Sequence, residues 1–98
     1  MSADDGLTEN ELAEMEGRAR AATDGPWQAY VEGRDHVAGD NFIRTGGLDD
    51  ASPDMYVTHY HGVQPVPAPA ADLDFIASAR QDVPRLVAEV RRLREARG

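Results

Sequence analysis

The apolar positions of this chain change period along its length, and each change predicts an element. Leu12, Met15, Ala19 and Ala22 recur at the helical period and form one narrow stripe. Thr8 and Glu11 stand at the S/T-x-x-E spacing of a capping box, and Leu7 and Leu12 have the spacing of a hydrophobic staple. Glu9 and Glu11 suit the positive end of the helix dipole. These signals predict a helix over about 9–22. Asp24-Gly25-Pro26 is its stop, with Gly25 available for a left-handed cap.

The pattern then turns to alternation. Trp27, Ala29 and Val31 alternate with Gln28, Tyr30 and Glu32, as in a half-buried strand. Asn41–Thr45 is a second short strand. Residues 46–54 are turn-rich, and Met55–Tyr60 is a third strand rich in aromatic and β-branched residues. Three strands at this spacing predict an antiparallel meander.

Residues 64–71 place proline at alternate positions, Pro65, Pro67 and Pro69. Proline lacks an amide donor and favours extended geometry, so this stretch is expected to be a stiff connector. Helical spacing returns with Leu73, Phe75, Ile76 and Ala79 behind Asp72 as a cap. Asp82-Val83-Pro84 predicts a break and a restart, since Asp caps well and proline fits a first helical turn. Val83, Leu86, Val90 and Leu93 then follow the a/d spacing of a coiled-coil seam. That seam serves either a helix packed on its own sheet or a homodimer. The expected fold is α+β: an N-terminal amphipathic helix, a three-stranded antiparallel meander and a C-terminal broken helix pair. It is expected as a single domain over 7–98 behind a disordered tail over 1–6.

Composition narrows the function. The chain has 98 residues, with 41% hydrophobic and 6% aromatic, which supports one modest core and leaves self-association open. A net charge of −8 argues against direct nucleic-acid binding, which needs a basic footprint. The charge is uneven: residues 1–25 carry −5, residues 26–71 carry −4 and residues 72–98 carry +1. All ten basic residues are arginine. Zero Cys excludes disulfides, thiolate metal sites and Cys nucleophiles. No apolar run suits a membrane span and the acidic start is unlike a secretory signal, so a cytoplasmic location, in a host cell if the chain is phage-encoded, is expected.

Two stretches resemble a known group. Leu12-Ala13-Glu14-Met15-Glu16-Gly17-Arg18-Ala19-Arg20-Ala21-Ala22-Thr23-Asp24-Gly25-Pro26-Trp27 is similar to the opening of the Ead-like family of small phage and prophage proteins. Residues 74–93, DFIASARQDVPRLVAEVRRL, are similar to that group's ending. The two blocks cover under half of the chain, and residues 28–71 carry no resemblance. The likeness implies a phage-encoded accessory factor acting on host physiology or defence, and it transfers no catalytic residue.

The candidate chemistry is sparse. His59 and His61 share one strand face, about 7 Å apart by strand rise, and could hold a metal with His36 from the preceding loop. Equally, they could finish a half-buried surface beside Met55 and Val57. Trp27, Tyr30, Tyr56 and Tyr60 could stack a base while Arg44 or the C-terminal arginines hold phosphate. The acidic residues of 1–54 could instead mimic nucleic acid toward a host protein's basic groove. Gly46-Gly47 lacks the lysine and the strand-to-helix context of a phosphate loop and reads as a turn. Asp49-Asp50 reads as solvated. The leading expectation is a non-enzymatic binding module without a cofactor, acting on a host protein and dimerising through Val83, Leu86, Val90 and Leu93. The alternatives are a sponge for a small nucleotide-like ligand at a dimer junction and a metal-dependent enzyme using His36, His59 and His61.

Overall fold

In a computed structural model of the chain, residues 6–37, 39–48 and 53–97 are described; the tail expected over 1–6 falls outside them except for Gly6, as do Asp49 and Asp50. Where a single domain is expected over 7–98, the chain divides into two compact units. One comprises residues 23–81, the other residues 1–22 together with 82–98.

Helix α1 spans Glu9–Ala21. Its start is the expected capping box: the Thr8 N–H donates to Glu11 Oε1 at 2.8 Å and the Glu11 N–H donates to Thr8 Oγ1 at 3.0 Å. Its end differs. Ala22, extended at φ −74 and ψ 157, closes the helix by donating its N–H to the Arg18 carbonyl. Gly25 lies beyond this exit and caps nothing.

Three strands, β1 (Gln28–Tyr30), β2 (Phe42–Arg44) and β3 (Met55–Tyr56), form an antiparallel sheet in the order β1-β2-β3. The expected meander is therefore present. Ala29 pairs with Ile43 and Ile43 with Met55, so one parity faces the core. Ala29, Val31, Ile43, Ala68, Leu73 and Ala77 form that core, with Trp27, Val57, Ala70 and Ile76 packed against it. Between β2 and β3, Gly46–Leu48 make a 3-10 turn, and a Cβ on Gly47 (φ 68) would meet the Gly25 carbonyl oxygen at 2.9 Å.

The expected third strand breaks at Val57. Its second half is β4 (Thr58–His61), which pairs antiparallel with β5 (Gln64–Pro67) in a separate two-stranded hairpin. The proline-rich connector is thus partly a strand. The reason lies in the register: Gly62-Val63 is a two-residue loop closed by His61↔Gln64, with Gly62 at φ 67. Counting from that closing pair, Pro65 and Pro67 occupy the alternate pairs in which no ladder hydrogen bond is made. A missing N–H costs nothing there.

Asn41 joins the two sheets. Its backbone carbonyl accepts from the Val57 N–H at 3.3 Å, and the Val57 carbonyl accepts from the Ala68 N–H at 3.0 Å. The Asn41 Nδ2 amide donates to the Ala68 carbonyl at 2.7 Å, while its Oδ1 accepts from the Glu32 N–H at 2.9 Å.

Helix α2 runs unbroken from Ala70 to Ala96 with Pro84 inside it, in place of the expected broken pair. It begins two residues before Asp72, which lies in the first turn instead of capping it. Proline inside a helix costs about 3 kcal/mol, and burying a Leu or Val side chain returns ~1.5–3 kcal/mol. Leu73 (0% exposed) in one unit and Val87 (4%) in the other are both buried, which outweighs one lost hydrogen bond. In the unit of α1, the Arg91 guanidinium reaches Glu9 at 3.2 Å and Glu16 at 3.5 Å. Arg94 binds Glu9 at 3.1 Å and also donates to the Leu7 carbonyl. The start of α1 therefore lies beside the end of α2, an antiparallel pair.

Candidate functional site

The face of the three-stranded sheet opposite the core is built by the other parity of the strands. Tyr30 pairs with Phe42 and Phe42 with Tyr56 in the strand register. Their rings follow that register as a row. The Tyr30 and Phe42 centroids are 5.2 Å apart with planes 4° from parallel, and those of Phe42 and Tyr56 are 5.3 Å apart at 35°. His36 joins from the loop, its ring 5.2 Å from Phe42 at 48°. The row is open to solvent: Tyr56 is 59% exposed and Tyr30, His36 and Phe42 are half-buried. Aromatic and β-branched cross-strand pairs stabilise a sheet, but three adjacent rings on an uncovered face are also a contact surface.

Charge frames the row. Gln28 and Arg44 pair in register at one side of it, and the Arg44 Nε lies 3.8 Å from Asp54 Oδ1. Glu32 and Asp40 continue the alternation of β1 and β2 at the other side, both exposed. Among the described residues, three carboxylates thus rim the rings against one guanidinium. Residues 23–81 as a whole carry nine acids and three arginines, so the surrounding field is negative.

A tied loop sets the position of His36. The Asp35 carboxylate accepts from the Val31 N–H at 2.8 Å and from Arg34 Nε at 3.0 Å. Arg34 in turn makes a two-pronged contact with Asp74 of α2 at 3.0 and 2.9 Å. The Val31 N–H, and after it Arg34, hold the Asp35 carboxyl below the usual carboxylate range. Arg34 does the same for Asp74, and both acids raise the Arg34 guanidinium. The Gly33 N–H donates to the His36 carbonyl at 2.7 Å, closing the loop under the ring.

The residues singled out from sequence separate accordingly. Tyr30, Tyr56 and Arg44 come together on this face. Trp27 is on the opposite parity and packs against the core, with its Nε1–H donating to the Thr23 and Asp24 carbonyls at 3.0 and 3.2 Å. Its backbone is clasped by Gln81, which accepts from the Trp27 N–H at 2.7 Å and donates to its carbonyl at 3.3 Å. Tyr60 belongs to the β4–β5 hairpin and is 67% exposed there. The three histidines do not converge. His36 stands against Phe42, His59 Nε2 lies 3.1 Å from Asp72 Oδ2, and His61 is exposed at the end of β4. Among the described residues no group of three or more His, Cys, Asp or Glu could hold a metal ion. Phe42, the middle ring of the row, is missed by the sequence reading. Its parity with Arg44, opposite the apolar Ile43, is the signal that finds it.

Compared with protein-family models, with curated proteins and with solved structures, the chain has no match. No helix among the described residues is long and apolar enough to cross a membrane.

Proposed function

We propose that the chain is a non-enzymatic binding module that docks a basic protein surface on its aromatic sheet face. The observation that carries this reading is the Tyr30–Phe42–Tyr56 row with Glu32, Asp40 and Asp54 around it. An aromatic face attracts cations through its ring quadrupole, by ~0.5–1 kcal/mol at exposed sites and about 2 when water is excluded. Arginine suits it best, because a guanidinium stacks on the ring and its edge meets the carboxylates. The negative field of residues 23–81 adds attraction for a basic partner and repels polyanions. The resemblance of the two helical blocks to the Ead-like group supports a phage-type accessory role, with a host protein as the partner.

A small nucleotide-like ligand is the competing occupant, favoured by Arg44 beside the rings. Its phosphates would also meet Glu32, Asp40 and Asp54. NMR titration separates the two. An arginine-rich peptide is expected to shift resonances of Tyr30, His36, Phe42 and Tyr56 together, and a mononucleotide to leave them in place. Shifts from the nucleotide alone, or peptide shifts confined to other residues, would overturn the proposal.

A further inference from the structure

The unit holding α1 and the second part of α2 leaves apolar surface uncovered. Val87 is 4% exposed, but Leu86 and Leu93 are 62% and 48% exposed. A hollow of about 200 Å³ runs between Leu7, Leu12 and Met15 on the α1 side and Val83, Leu86, Val87 and Val90 of α2. Thus Val83, Val87 and Val90 are turned to α1, Leu86 stands at the edge of that hollow and is mostly exposed, and Leu93 lies outside its lining, so the expected seam is split.

These two leucines lie on a stripe with a particular symmetry. Asp82, Leu86, Glu89, Leu93 and Arg97 share one face of α2 by helical spacing. Read backwards about its middle, the stripe complements itself. Asp82 falls opposite Arg97 and Leu86 opposite Leu93, while Glu89 sits at the middle beside its own copy, its charge met by Arg92 of the same chain at 2.5 Å. The surface relief agrees. A hollow of about 500 Å³ is lined, among the described residues, by Asp82, Arg85, Leu86 and Glu89. Positions i, i+3, i+4 and i+7 are the four that outline a hole for a side chain of a facing helix.

We propose that two copies of the chain pair antiparallel through this stripe, with Leu93 of each copy seated in the Asp82–Arg85–Leu86–Glu89 hollow of the other. A two-fold contact requires a face that complements itself, and this one does. Residues 1–22 and 82–98 hold nine acids and seven arginines, so this unit is nearly balanced, at −2. Residues 23–81, with nine acids and three arginines, repel their own copy. A parallel pairing would set Asp82 beside Asp82 and Arg97 beside Arg97. The occupant is therefore a second copy in reversed orientation.

Sedimentation equilibrium of the full chain at high micromolar concentration is expected to give a dimer. L86E/L93E is expected to give a monomer with an unchanged far-ultraviolet circular dichroism spectrum. The exposed charges supply a second measurement that leaves both leucines in place. Asp82→Arg weakens the dimer several-fold, and adding Arg97→Asp in the same chain restores it. A monomeric wild-type chain, a dimer that survives L86E/L93E, or a charge swap that fails to restore association overturns the proposal.

Discussion

Tyr30 and Phe42 stack face to face across β1 and β2, with centroids 5.2 Å apart and planes 4° from parallel. Opposed pairs on a sheet face are held by backbone register, so the rings are set before any partner arrives. A surface fixed in this way loses little conformational freedom on binding, and a rigid aromatic anchor is effective for that reason.

The stack also contributes to the fold. Phe42→Leu keeps an apolar side chain but removes the ring contacts with Tyr30, His36 and Tyr56. The expected loss is about 1 kcal/mol of unfolding free energy, the usual size of an aromatic pair beyond its buried area. Urea unfolding of the variant checks this, and a loss of several kcal/mol would mean that Phe42 is core instead of contact surface.

Asn41 is the polar residue on which the two sheets depend. It is buried, at 9% exposure, and its amide satisfies Glu32 and Ala68 at once. Asn41→Ala strands the buried Ala68 carbonyl, which costs ~1–3 kcal/mol, and leaves the part-buried Glu32 N–H without its acceptor. Asn41→Asp keeps the acceptor toward Glu32 but cannot donate to Ala68. Both variants should unfold at lower denaturant, and amide exchange should quicken at Val57 and Ala68. Unchanged exchange there would count against the linking role.

The loop ties predict an acid limb. The carboxyls of Asp35 and Asp74 lie below their usual value in the folded chain, through the Val31 N–H and Arg34 respectively. A carboxyl with a depressed folded value gives stability that is present above its unfolded pKa of about 3.9 and lost as pH falls through the folded value. Thermal midpoints should therefore drop on acidification below about pH 4. Asp74→Asn should lower the midpoint at neutral pH and converge with wild type at the acid end. Parallel curves for the two proteins would remove Asp74 from the explanation.

Gly47 tests the turn before β3. Its φ of 68 and the 2.9 Å approach of a notional Cβ to the Gly25 carbonyl oxygen act together. Gly47→Ala should cost ~1–2 kcal/mol from the left-handed conformation alone, with more from the clash. Gly33→Ala, also at positive φ but with open space around it, supplies the comparison and should cost less.

Much of this architecture is legible in the sequence because local chemistry and period agree. The α1 start follows from Leu7, Thr8 and Glu11, and the β1 faces from the alternation of residues 27–32. The same alternation separates Trp27 from Tyr30, so grouping both as one ligand set sets aside a rule that the residues already obey. The misreadings share a cause in tertiary context. Alternate prolines describe a connector and also an edge strand, and only pairing with β4 decides between them. Pro84 reads as a break until the burial of Leu73 and Val87 on either side is counted. His59 and His61 do share a strand, β4, but the chain turns at Val57, so His36 stays against Phe42 of the other sheet and His59 meets Asp72, thirteen residues on, in α2. Phe42 goes unremarked because Ile43 beside it is hydrophobic as well, and only the register sets Phe42 between two tyrosines.

The role of the aromatic face is tested most directly by isothermal titration with oligoarginine, oligolysine and oligoglutamate peptides, on the wild-type chain and on Y30A/Y56A. Acidic residues alone attract arginine and lysine alike, whereas rings favour arginine. The wild-type chain is expected to bind oligoarginine more tightly than oligolysine and to ignore oligoglutamate. Y30A/Y56A is expected to lose about tenfold toward oligoarginine, ~1.4 kcal/mol, with little change toward oligolysine. Equal affinity for oligoarginine before and after removal of the two rings would contradict the account.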